Sequence, residues 1–211
     1  FVVENVPEFR EWAPPKVKGR PPPEKGSLYR HWVNTFLLSG YRVTEQVLTA
    51  SRWGVPQRRR RLILIGCLDR EIHVSDPDVE EPPIGPVLDF EGGQSWKSIS
   101  SIAKPGARGR AEHAQRTFGG RPCWGWHATH QKAWARGLEQ PANTITTQNQ
   151  HYLVRDGEYR LWTVGETAEA MDFDRDYFRG VPRTAAITMA GNAVPPSLAA
   201  GVLRRVAEAI A

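Results

Sequence analysis

The 211 residues are 40% hydrophobic and 24% charged with a net charge of +5, an ordinary globular composition with room for one large domain or two small ones. No apolar run approaches the roughly 18 residues of a membrane span, and Phe1-Val2-Val3-Glu4 lacks the basic leader and apolar core of a signal peptide. Two cysteines, Cys67 and Cys123, make neither a disulfide framework nor metal-ligand spacing, which fits a reducing, cytosolic setting.

The charge is uneven. Residues 101–138 carry seven basic side chains against Glu112 alone, while the rest of the chain holds 21 basic and 22 acidic residues. Such a local excess suits a surface that meets a polyanion, with a merely soluble basic loop region as the plainer alternative.

In chain order, Phe1-Val2-Val3 predicts a central strand entered midway, as if something precedes it. Residues 7–24, rich in Pro, Lys and Arg, predict a loop. Ser27 is expected to cap a helix carrying Leu28, Trp32, Val33, Phe36 and Leu37, stopped by Gly40. Residues 41–50 alternate as a strand, and a second strand is expected over residues 62–67. Strand, helix, strand, strand is the second half of an α/β layer.

Before that last strand stands Gln57-Arg58-Arg59-Arg60-Arg61. In an extended chain Gln57, Arg59 and Arg61 face one way, and Arg58 and Arg60 the other. One row can line a pocket and the other can meet solvent or phosphate. The plainer alternative is a basic edge that deters strand-to-strand aggregation.

Composition shifts at Asp76, and residues 76–150 are rich in Gly, Pro and Trp with few periodic runs, predicting an irregular, loop-dominated inserted lobe. The first fold is expected to resume at His151 with a strand, a turn at Asp156-Gly157, and a helix from Thr163 capped reciprocally with Glu166. Its inward residues are Ala168, Met171 and Phe173. Pro195-Pro196 opens a final helix whose apolar stripe is Leu198, Val202, Leu203, Val206 and Ile210. The expected domains are therefore 1–75 and 151–211, parts of one α/β domain, with 76–150 between them.

Several motifs fall in a telling order: Glu4-Asn5-Val6 after a strand, Gln57-x-Arg59-x-Arg61 before one, and Pro141-Ala142-Asn143-Thr144-Ile145-Thr146 after the basic lobe. Arg160-Leu161-x-Thr163-x-x-Glu166 and Gly191-Asn192-Ala193-Val194-Pro195-Pro196 follow. The series resembles the C-terminal half of the DNA (cytosine-5) methyltransferase family. The resemblance spans nearly the whole chain and is loosest over residues 76–140. It implies the second half of a Rossmann-like, S-adenosyl-L-methionine-dependent methyltransferase sheet with an inserted target-recognition lobe.

In that family a cysteine thiolate adds to cytosine C6, C5 takes the methyl group of S-adenosyl-L-methionine, and loss of the C5 proton expels the enzyme. The cytosine must leave the duplex to be reached. The resemblance assigns Glu4 to relieve charge at N3, and Arg61 with Arg59 to clamp the cytosine O2 and nearby backbone. Asn192 and Val194 are placed beside the cofactor; Asn192 is also a plausible left-handed or turn residue. Double-stranded DNA is expected against Gln57, Arg108, Arg110, Arg116, Arg121, Lys132, Thr144, Gln148 and Asn149, the last two filling the hole left by the base. The lobe's tryptophans are expected mainly in its small core, and His127 and His130 as a surface pair rather than a metal site.

Two motifs of the family's N-terminal half have no counterpart. No Asp-x-Phe-x-Gly-x-Gly cradle follows a strand; Asp89-Phe90-Glu91-Gly92-Gly93 echoes it out of place. No Pro-Cys loop precedes Glu4, and Pro122-Cys123 lies within the basic lobe. The resemblance thus implies a C-terminal subunit or fragment, inactive alone, completed by an N-terminal half in a bacterial or phage-infected cytoplasm, close to DNA. The alternative is a catalytically silent DNA-binding relic. Two further departures are Gly165, where the family usually has arginine, and Met189, where glutamine is common.

Overall fold

A computed structural model describes residues 1–92, 95–126, 134–148 and 151–211, leaving the side chains of Trp126 and Trp134 outside the description. The first layer is built from β1 (Val2–Asn5), α1 (Ser27–Leu38), β2 (Arg42–Thr49), the two-residue β3 (Gln57–Arg58) and β4 (Arg60–Cys67). β4 is the centre of a three-stranded sheet ordered β1-β4-β2 and runs antiparallel to both neighbours. β1 and β2 are consequently parallel to each other, with α1 in the crossover that parallel strands require.

Alternation along β4 explains its uninterrupted apolar run. Leu62 and Leu64 pack with Tyr29, Trp32, Val33 and Phe9, on the α1 side. Ile63 and Ile65 pack with Leu48, Val55, Leu198 and Val202, on the side of α5 (Pro196–Ile210). A strand covered on both faces has no polar side to show. The helix α1 forms as its spacing predicts, but its cap is Gly26, left-handed at φ 74°, and Ser27 is the first helical residue. A side chain at 26 would collide with the Arg10 carbonyl, so the position suits glycine twice over.

Residues 76–150 are more regular than expected. Here lie β5 (Lys97–Ser98), α2 (Pro105–Phe118), β6 (Cys123–Trp126), β7 (Trp134–Arg136) and β8 (Ala142–Asn143). A five-stranded antiparallel sheet, ordered β5-β10-β9-β6-β7, takes two of its three inner strands, β9 (His151–Arg155) and β10 (Glu158–Leu161), from beyond residue 150. Its hydrogen bonds therefore run across the division placed at 150. The helix α2 escapes a periodicity reading because the residues it buries, Ala111 and Ala114, are small. They pack against Cys123, Tyr152 and Val154 on the sheet.

The helices α3 (Val164–Ala170) and α4 (Arg183–Asn192) share one core with Trp124, Ile145, Leu153, Trp162, Met171 and Ala186. The expected reciprocal cap is present: Glu166 N donates to Thr163 Oγ1 at 3.0 Å, and Thr163 N to Glu166 Oε2 at 2.7 Å. Glu166 also receives Arg160 at 2.7 and 2.8 Å, a pair buried within this core. At Gly165, where the family usually has arginine, Arg175 lies over the glycine and joins Glu169 (2.8 Å) to the Val87 carbonyl (2.9 Å). A Cβ at 165 would come within 2.8 Å of the Arg175 side chain.

In α5, Leu198 and Val202 are buried, whereas Leu203 and Ile210 face outward, so the expected stripe is narrower than its sequence. Residues 183–210 taken as one stretch are long and apolar enough to cross a membrane. The stretch is two helices broken at residues 193–195, and each turns buried residues to the core, Ala186, Ile187 and Ala190 in α4, Leu198 and Val202 in α5.

Candidate active site

The arginine run becomes a site because β4 places alternate residues on opposite sides. Arg61 reaches the neighbouring strand: its Nε stands 2.6 Å from Glu4 Oε1, with side-chain exposures of 9% and 28%. Glu4 is paired in register with Ile63, so this is a diagonal cross-strand contact. Burial raises the Glu4 carboxyl above its usual value, and Arg61 and Arg59 only partly offset it. Burial likewise lowers Arg61, with Glu4 opposing. Arg61 Nη1 donates to the Arg60 carbonyl at 2.8 Å, so among the described residues Nη2 is the donor left for a ligand.

Arg59 behaves differently. It is fully buried, and its Nη1 and Nη2 donate to the carbonyls of Ile145 (2.8 Å) and Gly191 (2.6 Å). Burial, then the charge of Arg61, brings it down to about 10. Both nitrogens that could clamp a base are engaged by backbone. Arg59 thus ties the end of α4 to residues 144–147, and there the chains touch: a Cβ on Gly191 would overlap the Thr146–Thr147 peptide.

Gln57, expected at DNA, is instead sealed inside. Its side chain accepts from Ile145 N at 2.8 Å and donates to the Ala170 carbonyl at 3.0 Å. β3 pairs with β8 in parallel, Gln57 opposite Ala142 and Arg58 opposite Asn143, so the glutamine moors the lobe's exit to the first layer. The correction follows from burial, since a side chain closed off from solvent with both amide ends satisfied cannot meet a duplex.

Around this frame opens a cleft of about 420 Å³, lined by Val6, Glu8, Arg58 to Arg61, residues 144–147 and Gly191. Glu4 stands at the margin of this cleft beside Arg61, its side chain 28% exposed. Thr144 lies on the cleft, its hydroxyl donating to the Arg58 carbonyl at 3.1 Å. Gln148 is exposed beside it, its amide donating to Thr146 Oγ1 at 3.4 Å. Asn192 is exposed at the last position of α4, helical rather than left-handed or in a turn. Val194 is half-buried against the core around Leu198.

On the lobe, Arg116 and Arg121 are exposed. Arg108 folds back on the Ile102 carbonyl through Nε (3.0 Å) and Nη2 (2.8 Å), and Arg110 is half-buried close to Tyr152. Lys132 and Asn149, with His127 and His130, lie outside the described residues. Among the described residues no cluster of histidine, cysteine and carboxylate could hold a metal.

Neither cysteine is placed to attack in the cleft. Cys123 is buried in β6, and desolvation pushes its thiol up to about 11. Cys67 stands six residues along β4 from Arg61, on the order of 20 Å at strand spacing. Thr147 and Glu8 on the cleft wall were missed by the sequence reading, and Arg60 was placed only on the outward row that can meet solvent or phosphate. The outward face of the arginine row was the available signal for Arg60; Thr147 and Glu8 had only their nearness to motif residues.

An α/β sheet bearing this carboxylate–guanidinium pair, with a second sheet moored beside it, has a family. The chain belongs to the C-5 cytosine-specific DNA methylases, whose family model matches residues 1–208. It is 29% identical over 196 residues to the type II methyltransferase M.MspI of Moraxella sp, covering 89% of this chain and 42% of that protein. In fold it resembles a putative DNA modification methyltransferase of an E. coli prophage, at TM-score 0.59 and 18% identity, covering 99% of this chain and 68% of the other. It also resembles S. pombe Dnmt2, at TM-score 0.58 and 14% identity, covering 99% and 66%. The chain thus spans under half the length of the curated relative it matches.

Proposed function

We propose that this chain is the C-terminal part of a DNA cytosine-5 methyltransferase, one that holds an extruded cytosine while its C5 is methylated. The observation that carries the reading is the Glu4–Arg61 contact of 2.6 Å at the margin of the basic cleft. Thiolate addition at C6 drives negative charge onto the ring. A carboxyl raised by burial is suited to deliver or share a proton at N3, and Arg61 Nη2 to donate to O2. Arg59 acts at one remove, holding residues 144–147 and the α4 end in place around the base.

The thiolate comes from outside these residues, from a preceding segment or a separate N-terminal half, because Cys123 is buried and Cys67 is distant. S-adenosyl-L-methionine supplies the methyl group when bound. The corner between α4 and α5 fits one wall of its site: Asn192 presents an exposed amide there, and Val194 an apolar edge. Lobe residues Arg116 and Arg121, with Thr144 and Gln148 at the cleft, would face DNA. In a bacterial or phage-infected cell that substrate would place the chain in the cytoplasm, close to DNA.

The test is Glu4→Gln in the full-length protein. Methyl transfer from labelled cofactor should fall about 10²- to 10⁴-fold, the usual worth of a positioned acid, while duplex affinity stays within twofold. Unchanged turnover, or a large loss of affinity, would remove Glu4 from the chemistry. Intact DNA binding with no transfer by the wild-type protein would point to the silent relic.

A further inference from the structure

The outward side of the arginine row divides into one engaged side chain and one available one. Arg58 is held by Glu81 Oε2 through Nε (2.8 Å) and Nη2 (2.6 Å), and Ser51 Oγ fixes the same carboxylate at 2.5 Å. Arg60 is exposed on the cleft wall, and no carboxylate among the described residues engages it. The backbone beneath it is fixed, since its carbonyl accepts from Arg61 Nη1 at 2.8 Å. Of the cleft's threonines, Thr144 donates to the Arg58 carbonyl and Thr146 to the Gln148 carbonyl at 3.2 Å. The Thr147 hydroxyl is exposed and spends itself on no described residue. Glu8, on the wall as well, gives that side of the opening the opposite sign.

A guanidinium and a hydroxyl at the mouth of a cleft match a phosphodiester oxygen pair, and a carboxylate elsewhere on the wall disfavours a second phosphate there. We propose that Arg60 and Thr147 form a seat for a DNA phosphate beside the extruded nucleotide, so that the backbone is held while the base enters. This rests on the DNA-modifying reading above and adds to it a contact that places the strand rather than acts on the base. Arg58 takes no part, because Glu81 already neutralises it.

The test measures affinity of the full-length protein for a mixed-sequence duplex over a series of KCl concentrations. Losing one phosphate contact should make the slope of log K against log[salt] shallower by about 0.9, roughly eightfold in affinity at 0.1 M salt when referred to 1 M. Arg60→Ala should show that change, and Arg60→Lys should restore the slope through its point charge. Thr147→Val should weaken binding without altering the slope. If Arg60→Ala matches wild type in slope and affinity, if Arg60→Lys fails to restore the slope, or if Thr147→Val binds as tightly as wild type, the two-residue seat is overturned while the DNA reading stands. If wild type binds no duplex at all, both fall.

Discussion

The two sheets are held together by different chemistry. The first layer rests on aliphatic burial, with Leu62 to Ile65 of β4 enclosed on both faces. The second leans on buried polar and aromatic pairs: Arg160 with Glu166, and His151 between Trp124 and Trp162 at centroid distances of 5.8 and 4.7 Å. Trp124 is pinned further by its indole N–H on the Gly137 carbonyl at 3.2 Å. Aliphatic burial tolerates change of pH and of neighbouring detail. Buried polar pairs fix one geometry and fail sharply when a partner is lost.

The sharpest way to break the contrast is Glu166→Ala. Arg160 would stay buried without its carboxylate, and the Asp89 amide (2.8 Å) and the Thr163 cap would also lose their acceptor. A loss of about 3–5 kcal/mol is expected, read from denaturant unfolding. Leu64→Ala should cost about 2–5 kcal/mol in the first layer through lost transfer energy and a cavity. That cost should not change with pH, whereas the cost of Glu166→Ala should shrink once pH falls below the ordinary carboxylate range.

The effect smallest at any one step of pH is an acid sensitivity of the second sheet. Complete burial brings His151 down to about 3, far below its unfolded value near 6.5. Below about pH 6.5 the unfolded chain takes up a proton that the folded chain refuses. Stability should then fall by about 1.4 kcal/mol per pH unit toward pH 3. For Glu166, burial pushes upward, but bonds from Arg160 and the Thr163 and Asp89 amides outweigh it and hold its carboxyl low. Its stabilisation, present above the ordinary carboxylate range, is lost on further acidification. Glu4 runs the other way: its raised value makes folding less favourable as pH rises through that interval. Hydrogen exchange at mildly acid pH should therefore expose β6, β9 and β10 before β4, and His151→Phe should remove the first part of that dependence.

What the sequence disclosed follows the same division. β4 was legible because four enclosed aliphatics in a row announce a central strand, and α1 because large residues recur at helical spacing. The reciprocal cap of Thr163 and Glu166 was legible because it is local. The helix α2 was not, since alanines leave no stripe, and neither were β5, β6 and β8, strands of two to four residues whose partners lie far along the chain. Within the motif Gln57-x-Arg59-x-Arg61 the residue types were visible but their partners were not. Arg59 spends itself on carbonyls 86 and 132 positions away, and Gln57 on an amide 88 away. The Glu4–Arg61 pairing was anticipated through the family resemblance rather than through spacing.

The mooring of β8 on β3 carries a consequence for anyone exchanging the inserted lobe between such proteins. Residues 142–145 belong, by their bonds, to the scaffold: Ala142 and Asn143 complete a strand pair, and Ile145 satisfies both Gln57 and Arg59. A transplanted module cut after 145 would discard the receiving end of that joint and leave a buried guanidinium and a buried amide facing nothing. The seam that respects the chemistry falls before Pro141, so that a chimaera inherits the host's own latch.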